Sequence, residues 1–403
     1  MRILMISPQP FFEPRGAPFC VYQHIKALVA LGYEVDLVTY HVGKEVELPG
    51  LRIYRVPNLP FIRSVKAGPS FAKFPLGLLL FCVAFWRLCC RRYRYLHTHE
   101  EAALLGIVLA YLFDCKHLYY MHCDLSQLIA GSGFVKSRLL LRVVEGVQKV
   151  MVRRAHTVIT FYPELEVTAR RLAPEQQIWT ILPPPVDEGL PPATSGDVAR
   201  LREQWQLGDG PVLLYTGTLE NYQGLDILLR SVKTVCDAFL TAHFVIVGGK
   251  TEQVEELRIL VDALGVSEHV RLVGQRPLEE MPGYMAMADV LLSPRSKGTH
   301  TPLKLYTYLH SGIPILATAI LSHTQILTPE IALLVQPTPE ALAAGAVQLL
   351  SDQEYAQSLG ATARWIAERQ YSWTAFMKKN ARVYSAFMSS EVEAGQGEVV
   401  GVQ

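Results

Sequence analysis

Residues 290–317 have the sequence Val290-Leu-Leu-Ser-Pro-Arg295-Ser-Lys-Gly-Thr-His300-Thr-Pro-Leu-Lys-Leu305-Tyr-Thr-Tyr-Leu-His310-Ser-Gly-Ile-Pro-Ile315-Leu-Ala317. The apolar runs Val290–Ser293 and Ile315–Ala317 are typical of buried strands, and the apolar spacing from Pro302 to Ser311 predicts a helix between them. A strand, a helix and a second strand in this order indicate one crossover unit of a parallel sheet.

The same alternation extends along the whole chain. In the first half, the predicted strands are Arg2–Ser7, Glu34–Tyr40, Leu51–Val56, Tyr95–Thr98, Leu118–His122 and Thr157–Thr160. In the second half, further strands are predicted at Pro211–Tyr215, His243–Val247 and Val270–Leu272. The predicted helices include Val21–Leu31, a segment beginning with Gly224–Val232, Glu252–Leu264, Leu278–Met287, Pro339–Leu350 and Gln353–Arg369. The fold class is therefore α/β, with two doubly wound parallel sheets.

A proline-rich segment separates the two series of strands. The 403-residue chain is long enough for two domains, and its composition changes abruptly around residues 182–195. We predict one domain over residues 1–188 and a second over residues 195–370, with a frayed tail at Glu391–Gln403. Two such domains facing each other would hold a ligand in a cleft at the carboxyl ends of their strands.

The composition excludes several classes of protein. Half of the residues are apolar, and 38 Lys and Arg balance 37 Asp and Glu, which excludes a disordered or fibrous chain and predicts no nucleic-acid partner. The seven cysteines show no Cys-x-x-Cys spacing, which indicates a reducing compartment without a disulfide framework or zinc site. The apolar run at the amino terminus is too short for a secretory signal, so we expect a cytoplasmic protein.

The positive charge is unevenly distributed. Leu48–His99 contains nine Lys or Arg and no acid, and Lys136–Arg154 contains six bases against Glu145 alone. The apolar stretch Pro75–Trp86 is twelve residues long, shorter than the about 20 residues that span a bilayer. These segments favour peripheral contact with the anionic inner face of a membrane, although ordinary packing helices with a solvated face explain them equally well.

The start of the predicted helix at Pro302 has the features of an anion site. Thr301 is a good N-cap, Pro302 suits the first helical position, and Gly312 supplies the stop. Three bases lie near this start: Arg295, Lys297 and Lys304. Free backbone N–H groups and these bases predict a phosphate site, whereas the simpler alternative is a capped helix with solvated bases.

Histidines follow two neighbouring predicted strands of the first domain. His97 and His99 lie at the end of one strand and His122 at the end of the next. We expect His97 and His99, two residues apart, to point to opposite faces, which argues against a metal site. A structural hydrogen bond is the better interpretation of His97, and a role in proton transfer or substrate binding is favoured for His122.

A glycine after the first strand is weaker evidence for a ligand site. Gly16 permits a tight turn or a close approach of the backbone to a ligand. The surrounding residues lack the Gly-x-Gly-x-x-Gly pattern, so no nicotinamide dinucleotide fingerprint is present.

Taken together, the chain resembles glycosyltransferase family 4, the retaining nucleotide-sugar transferases of GT-B fold. The segments that carry the resemblance are Met1–Tyr40, Leu213–Leu229, His243–Gly249, Val270–Glu280 and Ser293–Leu327, and it is most specific at Tyr215–Asp226 and Gly312–Thr318. It implies that the first domain holds the acceptor, that the second holds a nucleotide-sugar, and that a final helix at about 373–389 returns to the first domain.

The resemblance also implies roles for individual residues. His122 matches the family's catalytic-region histidine, and the acceptor region falls at His99 and Glu100. The donor phosphates fall to Arg295, Lys304, Leu303 and the glycine loop at Gly16. The nucleobase loop falls at Arg276 and Pro277, and the ribose or sugar contacts fall at Thr299, His300, Thr301 and Thr307.

The sequence departs from the family at four of its usual positions. The family's phosphate-binding Arg and Lys are replaced by Thr218 and Gln223, and both glutamates of its Glu-x7-Glu motif are replaced, by Thr299 and Thr307. An active enzyme would hold the diphosphate with Arg295 and Lys304. The alternatives are a donor-binding protein without activity, or a sugar-nucleotide epimerase or hydrolase on the same fold.

The implied reaction moves a sugar from a nucleotide-diphosphate donor to a glycan or lipid-linked acceptor. It implies retention of configuration and needs neither a cofactor nor a metal ion.

Overall fold

The computed structural model describes residues 1–13, 16–65, 68, 70–131 and 137–389. The chain divides into two compact units, the first formed by Met1–Pro183 with the chain from Thr374 on, and the second by Pro184–Trp373. Lys136 and the tail Glu391–Gln403 lie outside the described residues.

The first unit is a parallel sheet with helices in the crossovers. Its elements are β1 (Arg2–Ser7), α1 (Gly16–Ala30), β2 (Glu34–Thr39), β3 (Leu51–Arg55), α2 (Lys73–Cys90), β4 (Tyr95–His99), α3 (Ala102–Phe113), β5 (Lys116–Met121), α4 (Leu125–Gly131), α5 (Arg138–Arg154), β6 (Thr157–Thr160), α6 (Pro163–Leu172) and β7 (Ile178–Thr180). The order of the seven strands is β3-β2-β1-β4-β5-β6-β7. The chain therefore reverses direction across the sheet between β1 and β4.

The second unit repeats this architecture with six parallel strands. Its elements are α7 (Ser195–Gln204), β8 (Val212–Thr216), α8 (Leu225–Ala238), β9 (His243–Val247), α9 (Thr251–Leu264), β10 (Val270–Gly274), α10 (Met281–Ala286), β11 (Val290–Ser293), α11 (Lys304–Ser311), β12 (Ile315–Thr318), α12 (Leu321–Thr324), β13 (Leu333–Val335), α13 (Pro339–Ser351) and α14 (Gln353–Gln370). The strand order is β10-β9-β8-β11-β12-β13. Here the reversal falls between β8 and β11.

Burial on both faces explains why the central strands are continuous apolar runs. In β1, β2 and β8 nearly every residue is buried, as expected when helices cover both sides of a parallel sheet. Ile3 of β1 lies opposite both Val35 of β2 and Tyr95 of β4, which places β1 in the middle of its sheet.

The last helix, α15 (Trp373–Ser389), packs on the first unit. The Tyr384 hydroxyl hydrogen-bonds His97 Nδ1 at 2.7 Å and His24 Nε2 at 3.0 Å. Phe387 packs against Tyr95 with ring centroids 5.4 Å apart. The carboxyl-terminal helix is thus part of the first unit's core.

The predicted fold class, two doubly wound α/β domains, is confirmed. Two edge strands of three residues, β7 and β13, were not predicted, because so short a run shows no periodicity. The predicted helix Leu278–Met287 is instead a 3₁₀ turn, Leu278–Glu280, followed by α10. Pro282 explains the break: it has no N–H to donate and is tolerated only in the first turn of a helix.

The apolar stretch Pro75–Trp86 is part of a longer helix than predicted. Helix α2 has 18 residues and is long and apolar enough to cross a membrane, judged by length and composition alone. The expectation that this segment does not span a bilayer stays a prediction, because length and composition alone do not decide it. Its Leu76, Leu80, Ala84 and Leu88 are buried in the core of the first unit.

Candidate active site

In the second unit, the carboxyl ends of β8 and β11 meet at the point where the strand order reverses, which is where open α/β sheets bind ligands. Close packing of loops shapes this edge. A Cβ on Gly224, whose φ is +71°, would lie 2.0 Å from the Pro294 carbonyl oxygen, so only glycine fits there. The Tyr308 hydroxyl accepts the Thr216 backbone N–H at 2.9 Å, which ties α11 to the end of β8.

Lys304 is a cation at this edge, and the groups that contact its ammonium are uncharged. Its Nζ donates to the Leu292 carbonyl at 3.3 Å and lies 3.7 Å from the centroid of the Tyr215 ring. Burial, and then the nearby charge of Arg295, hold the pKa of Lys304 well below its usual value. Among the residues that the structure describes, no carboxylate pairs with this ammonium group. An unpaired, partly buried cation is unfavourable unless an anion joins it.

Arg295 is the second cation and is also largely buried. Its Nη1 donates to the His300 carbonyl at 2.5 Å, and its guanidinium lies 4.8 Å from the Tyr222 ring centroid. Burial lowers its pKa. Its Nε and the Thr301 hydroxyl are buried polar groups without a hydrogen-bond partner among the described residues. Two cations and unsatisfied donors at one edge are the chemistry of an anion site.

The start of α11 differs from the sequence prediction. The helix begins at Lys304, and its N-cap is Leu303, which has helical backbone angles and offers no side-chain cap. Thr301 is therefore not the N-cap, and Pro302 lies in the turn before the helix, where its carbonyl accepts the Leu305 N–H at 3.1 Å. The His300 carbonyl just before this turn accepts a hydrogen bond from Arg295 Nη1.

Thr307, the predicted ribose partner, is bound to a carboxylate of its own unit. Its Oγ1 donates to Asp187 Oδ1 at 2.9 Å and accepts the Val186 N–H at 3.2 Å. Asp187 lies two residues after the run Pro183–Pro185, in a segment whose composition indicates only a linker, so no pattern in the sequence marks this carboxylate. Thr299, the other replaced glutamate, uses its backbone carbonyl to accept Gln325 Nε2 at 2.6 Å.

A cavity of about 580 Å³ lies at the carboxyl ends of β9 and β10. Its lining includes Gly249, Lys250, Gly274 and Gln275. The guanidinium of Arg276, predicted for the nucleobase, is instead 5.6 Å from the Trp205 ring and is not among the lining residues.

Three more positions that the sequence singled out, Pro277, Thr218 and Gln223, also lie in the second unit. Pro277 precedes the 3₁₀ turn Leu278–Glu280. Gln223 Nε2 donates to Thr218 Oγ1 at 3.1 Å, so the two residues in place of the family's Arg and Lys bind each other.

In the first unit, His97 and His99 share one face of the sheet. Their rings stack with centroids 4.5 Å apart and an interplanar angle of 21°. The expectation that they point to opposite faces is wrong, because side chains two residues apart on a strand lie on the same side. Within the described ranges, no group of three or more His, Cys, Asp or Glu is arranged to hold a metal ion.

His122 is joined to this cluster by a hydrogen bond. His99 Nδ1 and His122 Nε2 are 2.9 Å apart, so one nitrogen donates its hydrogen and the other accepts. The Phe161 ring stacks on His122 at 5.4 Å, and Tyr120 lies at 4.6 Å. The ring of His122 is thus held in one orientation at the carboxyl end of β5.

The histidines behind His122 are kept neutral. Burial lowers the pKa of His24 to about 3 and holds those of His97 and His99 well below the usual value. His97 makes its hydrogen bond to Tyr384. The cluster is therefore a neutral hydrogen-bonding network and not a positively charged patch.

Two further predicted residues flank this edge. Glu100 follows β4 with a φ of +48°, a left-handed conformation that is strained for a residue other than glycine and is often found at functional sites. Gly16 is the first residue of α1.

The comparison with known proteins agrees with this architecture. Residues 15–185 match the family model described as glycosyl transferase 4-like domain, and residues 197–365 match the model for glycosyl transferases group 1. The fold is GT-B. The chain belongs to the glycosyltransferases of the family 4 type.

Relatives with described activities share 30% identity or less with this chain. A GDP-mannose-dependent alpha-(1-6)-phosphatidylinositol monomannoside mannosyltransferase from Mycolicibacterium smegmatis is 30% identical over 200 residues, 48% of this chain and 52% of the relative. A 2-deoxystreptamine glucosyltransferase from Streptomyces kanamyceticus is 26% identical over 282 residues, 67% of this chain and 72% of that one. The match thus spans about half the length of the mycobacterial relative.

Solved structures extend the likeness over nearly the whole chain. A sucrose-phosphate synthase from Thermosynechococcus elongatus has a TM-score of 0.78 at 23% identity, covering 97% of this chain and 100% of that one. HepE from Anabaena in complex with UDP-glucose has a TM-score of 0.72 at 15% identity, and the match covers 96% of this chain and 100% of HepE. At these identities the likeness concerns the fold.

Proposed function

We propose that the protein is a retaining glycosyltransferase that transfers a sugar from a nucleotide-diphosphate donor to a glycan or lipid-linked acceptor. The observation that carries the proposal is the pair of cations Lys304 and Arg295 at the carboxyl ends of β8 and β11, with no carboxylate of the described residues paired with Lys304. A diphosphate supplies a negatively charged partner for these two cations.

The diphosphate is also the leaving group, so the same cations act in the reaction. Negative charge grows on it as the bond to the sugar breaks, and Lys304 and Arg295 stabilise that charge from fixed positions. In the retaining course, the acceptor attacks from the face of the leaving group, and a phosphate oxygen takes the acceptor's proton. The two side chains neutralise the leaving group without requiring a metal ion.

We assign the ribose to Asp187. Its carboxylate is held by Thr307, the position where the resembled family places a ribose-binding glutamate. The hydrogen bond from Thr307 occupies Oδ1 and leaves the other carboxylate oxygen to accept from a ribose hydroxyl. The cavity lined by Gly249 and Gln275 accommodates the base.

His122 contacts substrate in this proposal. Its ring is oriented by His99 and Phe161, and its imidazole hydrogen-bonds a substrate hydroxyl. We place the protein in the cytoplasm, because all seven cysteines are free thiols, three of them exposed.

The proposal is tested by a donor screen. Nucleoside diphosphates of each base are titrated into the full chain and monitored by thermal shift, where ligand at 100 times its Kd stabilises by about 2.7 kcal/mol. The matching nucleotide-sugar is then offered with glycan and lipid-linked acceptors, and NMR reads the anomeric configuration of the product. Saturable binding without transfer would identify a donor-binding protein, and hydrolysis or epimerisation of the donor without acceptor would identify those activities instead.

A further inference from the structure

An exposed apolar surface on the first unit is not used by the proposed reaction. Helix α3 consists of twelve residues without a single charge, although a helix on the surface of a protein in water normally shows a polar face. Its Leu104, Val108, Tyr111 and Leu112 are exposed, and Tyr111 is 88% accessible. These four residues form one stripe by helical spacing, and the buried residues of α3 occupy the other side.

Helix α2 continues this surface. Beyond the four residues that face the core, α2 exposes Phe74, Leu78, Phe85 and Trp86, the last with 63% of its surface accessible. Helix α2 packs on α3, and the rings of Phe85 and Phe113 meet edge to face at 5.2 Å. The exposed faces of α2 and α3 are therefore neighbours, and we call them together the α2–α3 face. Patches of this kind mark interaction sites.

The charges around the α2–α3 face are mainly positive, although the exposed Asp114 follows α3 and Glu101 before α3 pairs with Lys73 of α2. Neither α2 nor α3 contains an acidic residue, and the exposed Arg91 and Arg92 follow the last turn of α2. Helix α5 packs on α3 and adds exposed bases together with exposed Leu139, Leu140 and Val143. Apolar side chains bordered by arginine and lysine match a bilayer surface, with acyl chains below and anionic headgroups at the rim.

We propose that the α2–α3 face inserts into the surface of an anionic lipid bilayer. Because Leu76, Leu80, Ala84 and Leu88 stay in the protein core, α2 lies along the membrane while the sheet remains outside it. The attachment is chiefly apolar, so it differs from binding by the basic segments alone. It does not depend on the proposed sugar transfer.

The test is co-sedimentation of the full chain with vesicles of phosphatidylcholine, alone and mixed with phosphatidylglycerol. The variant Phe74→Ser, Leu78→Ser, Trp86→Ser should lose more than about tenfold in its partition coefficient on both vesicles. The variant Arg91→Gln, Arg92→Gln should lose only the added affinity for phosphatidylglycerol, which also falls with salt. Tryptophan emission should shift to shorter wavelength on vesicles, and Trp86→Phe should remove that shift.

The second unit offers a matched control. Leu240, Ile259 and Trp365 are apolar and similarly exposed there, and the variant Leu240→Ser, Ile259→Ser, Trp365→Ser should bind vesicles like the wild type. Circular dichroism checks that each variant is folded. If the α2 variant unfolds, the variant Val108→Ser, Tyr111→Ser on α3 replaces it in the test.

Three outcomes would overturn the inference: no binding of the wild type, equal loss in the control variant, or unchanged binding of the α2 variant. Wild-type dimers in sedimentation velocity that the α2 variant lacks, without vesicle binding, would assign the face to a protein interface instead.

Discussion

Replacing Lys304 with methionine should separate stability from ligand binding. The ammonium group donates to the Leu292 carbonyl, lies over the Tyr215 ring and has a lowered pKa because of burial. Methionine has a similar length and no charge, so it fills the same space without the desolvation penalty. We expect the free energy of unfolding of the unliganded protein to be unchanged or raised by about 1–3 kcal/mol.

Binding should respond in the opposite direction. Loss of one charged hydrogen-bond donor to the diphosphate costs about 1.5–3 kcal/mol, which corresponds to a Kd about ten to 150 times higher. Arg295→Ala should weaken binding by a similar amount, and the nucleoside without phosphates should bind each variant almost as it binds the wild type. Calorimetric titration gives the affinities, and urea unfolding gives the stabilities.

The pH dependence provides an additional check on Lys304. Its pKa is lowered in the unliganded protein, and a bound anion favours the charged form and raises it again. At a pH above the pKa of Lys304 in the free protein, binding of the diphosphate therefore takes up a proton. The affinity for the diphosphate should fall as the pH rises through that pKa. Lys304→Met should abolish this dependence.

The control is Lys297→Met: the sequence grouped this base with Arg295 and Lys304, but its side chain is exposed in the loop, so we exclude it from the proposed site. It should change neither the stability nor the affinity by more than about 0.5 kcal/mol. If Lys304→Met instead destabilised the protein and bound the diphosphate as tightly as the wild type, Lys304 would be a structural residue and the anion site would be wrong.

Three further predictions concern the histidines and the ribose. His122→Ala should lower turnover by about 10²–10³-fold with little change in diphosphate affinity. A variant that melts early but keeps its rate per folded molecule would make His122 structural. Asp187→Asn should reduce the preference for ribonucleotides over 2′,3′-dideoxynucleotides, whereas Glu188→Gln, on the exposed neighbour, should not; equal preference in Asp187→Asn and wild type would exclude the ribose contact. Burial holds the pKa of His24 and His117 at about 3, below their value in the unfolded chain, so the unfolded state binds more protons and stability falls as the pH drops below about 6.5. Between pH 7.5 and pH 5 each should contribute a loss of about 2 kcal/mol, and a His117→Asn variant with an unchanged pH slope of the unfolding free energy would refute this.

The alternation of strands and helices was determined by the sequence itself. Apolar runs and helical spacing are properties of consecutive residues, so β1, β6, β9 and β11 were predicted with the bounds that the structure shows. Arg295 and Lys304 could be singled out from the sequence as well, because a base near a strand-to-helix turn is visible locally, and their contact with a diphosphate stays a prediction.

The tertiary structure decided which side chains meet. Asp187 and Thr307 are 120 positions apart, and Tyr384 reaches His97 across 287 positions, so no local pattern links them. The same limit explains the environment of Lys304, which depends on β8 lying beside β11. Local spacing determines whether a segment forms a helix or a strand, whereas the order of strands in a sheet determines which segments lie next to one another. The chemistry of a site depends on those neighbouring segments.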